Sequence, residues 1–270
     1  SVILCLTEQF HDGSGYNSLN TLRSALSAVI LPIEGMTVGS HPLVKRFMTG
    51  VFNLRPLTPK YSCTWDVKVV LDYLKNLGPN HNLSLKDLTM KMVVLTALVS
   101  GQRCQTLSLL NLDCIQSTTT GVVFIIDKLI KTSKVGKQNT NIVLQQYPRD
   151  ELLCVVNLLN EYLQRTHAIR DTKRKLFLSY VPPHKEVGAQ TISRWIKATL
   201  GNAGVNTNTF SAHSTRSAAC SAAYRQGVST ESILRTAGWT NCSTFAKFYN
   251  KPVLVSNFTE AVLDCASVAH

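Results

Sequence analysis

The sequence predicts a mainly α-helical protein carrying one small antiparallel β-sheet, and three observations lead there. Apolar side chains recur at three- and four-residue spacing in segment after segment, as in helices that bury one face. Between residues 112 and 145 the pattern changes to short β-branched stretches that read as strands. The stretch NLRPLTPKYS holds Pro56 and Pro59, which cannot continue a helix, so its extended, basic character marks a linker. The expected organisation is therefore a helical piece over residues 1–56, a linker at 57–63 and a larger domain over 64–270.

Taken in order, the opening SVILCL is apolar but lacks a basic flank and soon meets Glu8, so it is neither a signal peptide nor a membrane span. No later window stays apolar for the ~18 residues a span needs. Because the chain starts at Ser1 inside an apolar run, it is expected to be cut from something longer. Residues 18–31 place Leu22, Leu26 and Ile30 on one helical face and stop at Pro32; residues 42–52 begin with Pro42 in the first turn and turn Lys45 and Arg46 outward. Beyond the linker, Thr64 is expected to cap a helix striped by Val67, Val70, Leu71 and Leu74 and closed by Gly78. Ser84 and Asp87 form a capping-box-like pair ahead of a helix with Leu88, Met92, Leu95 and Val99 on one face and Gly101 at its end. Arg103 follows at once, opening a short helix.

Strands are expected at 112–116, 121–126 and 141–145, with the lysine-rich KLIKTSKVGKQNT as a hairpin tip between the last two. Asp150 should cap ELLCVVNLLNEYLQRT, and KRKLFLSYVPP should turn into a short strand ending at Pro182 and Pro183. Thr191 should start a helix that buries Ile192, Trp195, Ile196 and Leu200. Residues 211–250 read as one short helical run, and 257–269 as a last amphipathic helix.

Composition narrows the partners. Lys and Arg total 28 against 16 acids, for a net charge of +12, and an excess of that size marks a polyanion partner, nucleic acid above all. The eight cysteines are scattered, with neither a CxxC pair nor a Cys/His spacing suited to zinc, so they read as reduced core residues of a cytosolic or nuclear protein. No metal site and no cofactor motif is expected.

The residues that carry chemistry cluster late. His213 and Arg216 are three apart in an Ala-rich helix, and Trp239 and Tyr249 follow. A phosphate among them would receive a forked guanidinium, an imidazole and an indole N–H, leaving the phenol of Tyr249 as the plausible nucleophile. Cutting a phosphodiester without a metal requires fixed cations around the phosphorane, and two guanidiniums, Arg103 and Arg216, suit that task in a way Lys cannot copy. Taken singly, each residue has a structural alternative: Arg103 bonding helix-end carbonyls, the lysines a solvated run, His213 and Trp239 core residues, Tyr249 one more apolar position beside Phe245 and Phe248.

In order, these motifs resemble the tyrosine recombinases, the phage integrases and their relatives. VSGQRCQTLSLLNLDCI resembles their first arginine motif, SKVGK their lysine hairpin, HSTR their HxxR box and the GW…FY segment their final box. The wording SGQRCQTL, GVFNLRP, TWDVKVVLDYL and AGWTNCSTFAKFYNKP is most similar to recombinases of DIRS/Ngaro-type retrotransposons and Crypton elements. The resemblance implies a recombinase catalytic domain preceded by part of a helical core-binding (SAM-like) domain, the two clamping duplex DNA. It makes Tyr249 the nucleophile of a 3′-phosphotyrosine intermediate, Lys134 the general acid with Lys131 in reserve, His213 a proton exchanger or phosphate ligand, and Trp239 a donor to the phosphate. DNA backbone contacts are expected from Lys45, Arg46, Lys131, Lys137, Lys173, Arg174 and Lys175. Metal and ATP are not required, and the further implications are a nuclear location, a mobile element integrated or excised, and a homotetramer on DNA joined through the last helix.

Two departures stand out. Ten residues lead from Trp239 to Tyr249, one more than is usual, with Phe248 at the usual place; and Thr106 stands where many relatives have Glu. Two other activities fit the same residues: a type IB topoisomerase-like relaxing enzyme, and a DNA-binding protein derived from such an element that no longer cuts.

Overall fold

A computed structural model describes residues 1–56, 62–131, 133, 136, 138–239, 245, 246 and 251–253. The chain divides into two compact units, residues 1–60 and 61–270.

The first unit is three helices, α1 (Val2–His11), α2 (Tyr16–Val29) and α3 (Pro42–Leu54), around Leu6, Leu19, Val38, Val44, Met48 and Val51. α1 has no counterpart among the expected elements: the apolar SVILCL is neither leader nor span but a core face, with Leu6 fully buried. Arg55 closes the corner between α1 and α2: its Nη1 donates to the carbonyls of Phe10 at 2.8 Å and Ser14 at 3.0 Å. Its guanidinium also lies 4.0 Å from the centre of the Phe10 ring.

The larger unit is built on α5. α4 (Val67–Asn76) comes first, and its cap is Asp66, which accepts from the Lys68 N–H at 2.9 Å, rather than the expected Thr64, whose backbone is engaged elsewhere. α5 (Leu85–Ser100) starts as expected: Ser84 Oγ accepts from the Asp87 N–H at 3.1 Å and donates to the Asp87 carboxylate at 2.6 Å. It is not one-sided, however. α7, α8, α9 and β3 surround it, so Thr89, Lys91 and Thr96 are buried along with its apolar residues, while Val99 of the expected stripe is 43% exposed. Gly101 ends it in the left-handed conformation, φ 58°, and α6 (Cys104–Leu107) follows.

The sheet is β1 (Ile115–Thr118), β2 (Gly121–Phe124) and β3 (Ile142–Gln145), antiparallel in the order β1-β2-β3, with Phe124 opposite Ile115 on one side and Ile142 on the other. Its first strand lies later than expected because Asn111 caps a 3₁₀ turn over Leu112–Cys114. Val122, Phe124, Ile142 and Leu144 face the core. Asp150 caps a 3₁₀ turn, Glu151–Leu153, and α7 (Val155–Arg170) begins only after it. The expected strand after KRK is reduced to isolated bridges, Asn111 with Lys175 and Leu178 with Glu186, although Leu176, Phe177 and Leu178 are buried.

α8 (Ala189–Asn202) and α9 (Ser214–Arg225) precede α10 (Thr230–Ala237), which breaks the single helical run expected at 211–250. Gly227, φ 83°, turns the chain and Ser229 caps α10 through the Ser232 N–H at 3.2 Å. The six described cysteines are free; Cys154 and Cys220 are buried, and Cys5, Cys63, Cys104 and Cys114 only partly so, short of the core role expected for all. Among the described residues no helix is long and apolar enough to cross a membrane. The helix expected at 257–269 lies outside the described residues.

Candidate active site

Arg216 is the anchor. It lies in the second half-turn of α9 and is 1% exposed, the largest fully buried side chain among the described residues. Its Nη2 donates to the Ala237 carbonyl at 3.0 Å, and its guanidinium carbon sits 4.7 Å from the centre of the Trp239 ring. The carbonyl end of α10 carries the negative end of the helix dipole, so the cation is held there by charge as well as by the hydrogen bond. Beside it, burial pushes the Cys220 thiol up to about 11 despite the nearby guanidinium, so no thiolate competes for that charge at neutral pH.

His213 stands at the N-cap of α9, exposed and in helical conformation, φ −66° and ψ −27°. The HxxR pair therefore shares a turn without sharing an environment: the imidazole meets solvent while the guanidinium lies beneath. The turn is pinned from outside the helix, since the Trp65 indole Nε1 donates to Ser214 Oγ at 2.9 Å and Ser214 Oγ donates to the Ser211 carbonyl at 2.7 Å.

The chain just before Arg103 reaches the same neighbourhood at Gly101. A Cβ on that glycine would lie 3.3 Å from Cys220 Sγ and 3.7 Å from Ala237 Cβ, so α5 ends against α9 and α10. Gln102, 6% exposed, then donates from Nε2 to the Thr236 carbonyl at 2.7 Å. Two consecutive carbonyls at the end of α10 are thus taken, one by the residue before Arg103 and the other by Arg216. Arg103 itself is half-buried at the N-cap of α6. Thr106 is 2% exposed. Gly238, φ 68°, brings the base of the lysine hairpin to this joint: a Cβ there would be 3.7 Å from both Gln102 Nε2 and Thr140 Oγ1.

The hairpin base is tied by Asn139, whose Nδ2 donates to the carbonyls of Ile126 at 3.1 Å and Lys128 at 2.9 Å and whose Oδ1 accepts from Ser133 Oγ at 2.7 Å. Lys131 is exposed above it, whereas Lys134 and Lys137 lie outside the described residues, as does Tyr249. Of the described residues flanking Tyr249 in sequence, Phe245 and Lys251 attach to α9. Phe245, 2% exposed, packs 6.0 Å from the Trp239 ring and 5.6 Å from that of Tyr224. The Lys251 N–H donates to Ser221 Oγ at 3.1 Å, and Arg225 Nη1 donates to the Lys251 carbonyl at 3.3 Å.

The expected DNA contacts divide in two. Lys45 and Arg46 are exposed on α3, whose buried residues are Val44, Met48 and Val51. The basic turn after α7 is more engaged than a solvated run. Lys173 Nζ donates to the carbonyls of Ile169 at 3.5 Å and Arg170 at 3.4 Å, Arg174 Nε lies 3.7 Å from Asp113 Oδ1, and the backbone N–H groups of Arg174 and Lys175 donate to Glu186 Oε1 at 2.9 and 3.0 Å. Sequence reasoning missed Gln102 and Trp65, whose partners are 134 and 149 residues away, a separation no local pattern encodes.

The model of the phage integrase family matches residues 66–253. No curated protein matches the chain by sequence. Among solved structures, the XerH site-specific recombinase bound to a palindromic difH substrate, a post-cleavage complex, is similar with a TM-score of 0.61 at 12% identity, covering 99% of this chain and 72% of that one. The Tn1549 transposon integrase in complex with circular intermediate DNA gives 0.57 at 13% identity, covering 99% and 85%, and XerA recombinase 0.53 at 15%, covering 84% and 74%.

Proposed function

The chain belongs to the phage integrase family and has the fold of the tyrosine recombinases, and from that premise we propose that it cuts and rejoins DNA strands at specific sites through Tyr249. Tyr249 Oη attacks the scissile phosphorus and passes its proton to His213; the 5′ oxygen leaves with a proton from Lys134, or from Lys131 if that lysine occupies the site. The product is a 3′-phosphotyrosine, and attack by a 5′-hydroxyl of another strand reverses the step. Arg103 and Arg216 face the charge that develops on the phosphorane, and Trp239 completes the phosphate's hydrogen bonds. The bond energy stays in the phosphotyrosine, so rejoining needs neither metal nor nucleotide.

The observation that carries this reading is the convergence at the end of α10, where Arg216 and the residue before Arg103 hold neighbouring carbonyls. A buried arginine fixed by a carbonyl and a ring, with an exposed histidine at the head of its helix, suits an anion approaching from solvent. The net charge of +12 suits duplex DNA as that anion. Exchange between two duplexes needs four strand cuts and each copy carries one Tyr249, so four copies act together. The wording shared with DIRS/Ngaro and Crypton recombinases makes integration or excision of a mobile element in the nucleus the setting.

The test is a nicked suicide duplex carrying candidate element ends. Wild-type protein should give a covalent protein–DNA band that is lost in Tyr249→Phe. A band that survives the substitution would remove Tyr249 as nucleophile, and binding without any band would favour a protein that no longer cuts.

A further inference from the structure

Thr64 and Trp65 open the larger unit and have no part in the chemistry above. Trp65 is 5% exposed, and its single N–H goes to Ser214 Oγ at 2.9 Å, on the residue directly after His213. One position earlier the Thr64 N–H donates to the Pro252 carbonyl at 2.7 Å, and Thr64 pairs with Val253 in a parallel bridge. Pro252 stands three residues after Tyr249. From the other side, Ser221 and Arg225 of α9 hold the N–H and carbonyl of Lys251.

We propose that Thr64 and Trp65 form a joint between the turn that follows His213 and residues 252 and 253, three and four positions after Tyr249, which makes Trp65 a positioning residue for strand cleavage; this rests on the recombinase reading above. The dipeptide commits its backbone to Pro252 and Val253 and its side chain to the turn after His213, so neither partner shifts without the other. Ser214 Oγ donates its hydrogen to the Ser211 carbonyl and accepts from the indole, which fixes its rotamer and with it the first turn of α9. Core filling alone does not call for this arrangement, since a phenylalanine would fill space without the N–H.

Trp65→Phe and Ser214→Ala test it with the nicked duplex, under single-turnover conditions at saturating DNA. Each should slow adduct formation about tenfold, the double variant no further, with the adduct's final amplitude and the affinity for DNA unchanged. A lower amplitude at an unchanged rate constant, or losses that multiply in the double variant, would overturn the joint. Hydrogen exchange gives a readout free of activity: Ser214→Ala should speed exchange at the Thr64 and Lys251 amides, which do not bond to Ser214, and unchanged exchange there overturns the joint as well. If wild-type protein forms no adduct on any end, the recombinase reading falls alone, because the exchange result still decides the joint.

Discussion

The Arg216 guanidinium carbon lies 4.7 Å from the centre of the Trp239 ring while its Nη2 donates to the Ala237 carbonyl at 3.0 Å. Ring and carbonyl constrain the plane and the rotation of the fork, so it is oriented before any phosphate arrives. Lysine keeps the charge but has no plane to stack and no fork. Arg216→Lys should therefore slow cleavage by at least about 100-fold while DNA affinity changes by less than about threefold. Single-turnover rates beside equilibrium binding check this; near wild-type cleavage would sink the claim that orientation matters.

Gln102 ties the first arginine motif to the helix end that Arg216 also grips. Replacing it with Leu keeps the volume and removes the donor to the half-buried contact with the Thr236 carbonyl, at a cost of about 0.5–1.5 kcal/mol. Because Gln102 and Arg216 act on adjacent carbonyls, their effects on stability should couple. A thermodynamic cycle with Gln102→Leu and Arg216→Lys should give a coupling energy of at least about 0.5 kcal/mol. Simple additivity would mean that the two contacts are independent.

Lys91 sits fully buried in α5, with Nζ 3.4 Å from the Gly78 carbonyl. Burial pushes it down to about 8 from 10.5, Asp150 opposing only in part. Between those two values the unfolded chain holds the proton and the folded one has released it, so stability rises with pH across that window. Below about 8 both forms are charged and the penalty, about 3 kcal/mol, is constant. Lys91→Met should therefore stabilise the protein at pH 7 by a few kcal/mol, and the gain should shrink as pH rises from 8 towards 10. Urea titrations at pH 7, 8.5 and 10 measure it; a gain independent of pH would place the cost in packing instead.

What the sequence made legible were features encoded within one turn of chain. Ser84 with Asp87, Pro42 and Gly101 mark helix ends by local hydrogen bonds and backbone conformation, and the structure has each of them where expected. The order of Arg103, the hairpin lysines, the HxxR box and the GW segment was equally plain. Burial was harder to read, because a helix packed on every side has no stripe: α5 shows its neighbours, not its periodicity, in burying Lys91 and exposing Val99. Asp66 took the cap expected of Thr64 because the Thr64 backbone pairs with residues almost 190 positions away. Gln102 and Trp65 carry no local mark at all, since their worth lies in partners brought up by the tertiary fold.

The two groups of expected DNA contacts should separate in salt. Lys45 and Arg46 are exposed on α3, whereas Lys173 spends its ammonium on the carbonyl end of α7. A side chain that neutralises a phosphate releases a counterion, and each such contact adds about 0.9 to the slope of log affinity against log salt. Removing Lys45 and Arg46 together should therefore flatten that slope by about 2. Lys173→Ala should change it by less than about 0.5, and should instead cost about 0.5–1 kcal/mol of stability as the helix end loses its cation. Fluorescence anisotropy on a fixed duplex between 50 and 300 mM salt, beside thermal melts, separates the two. A slope that flattens by a full contact in Lys173→Ala, with no loss of stability, would return that lysine to the DNA interface.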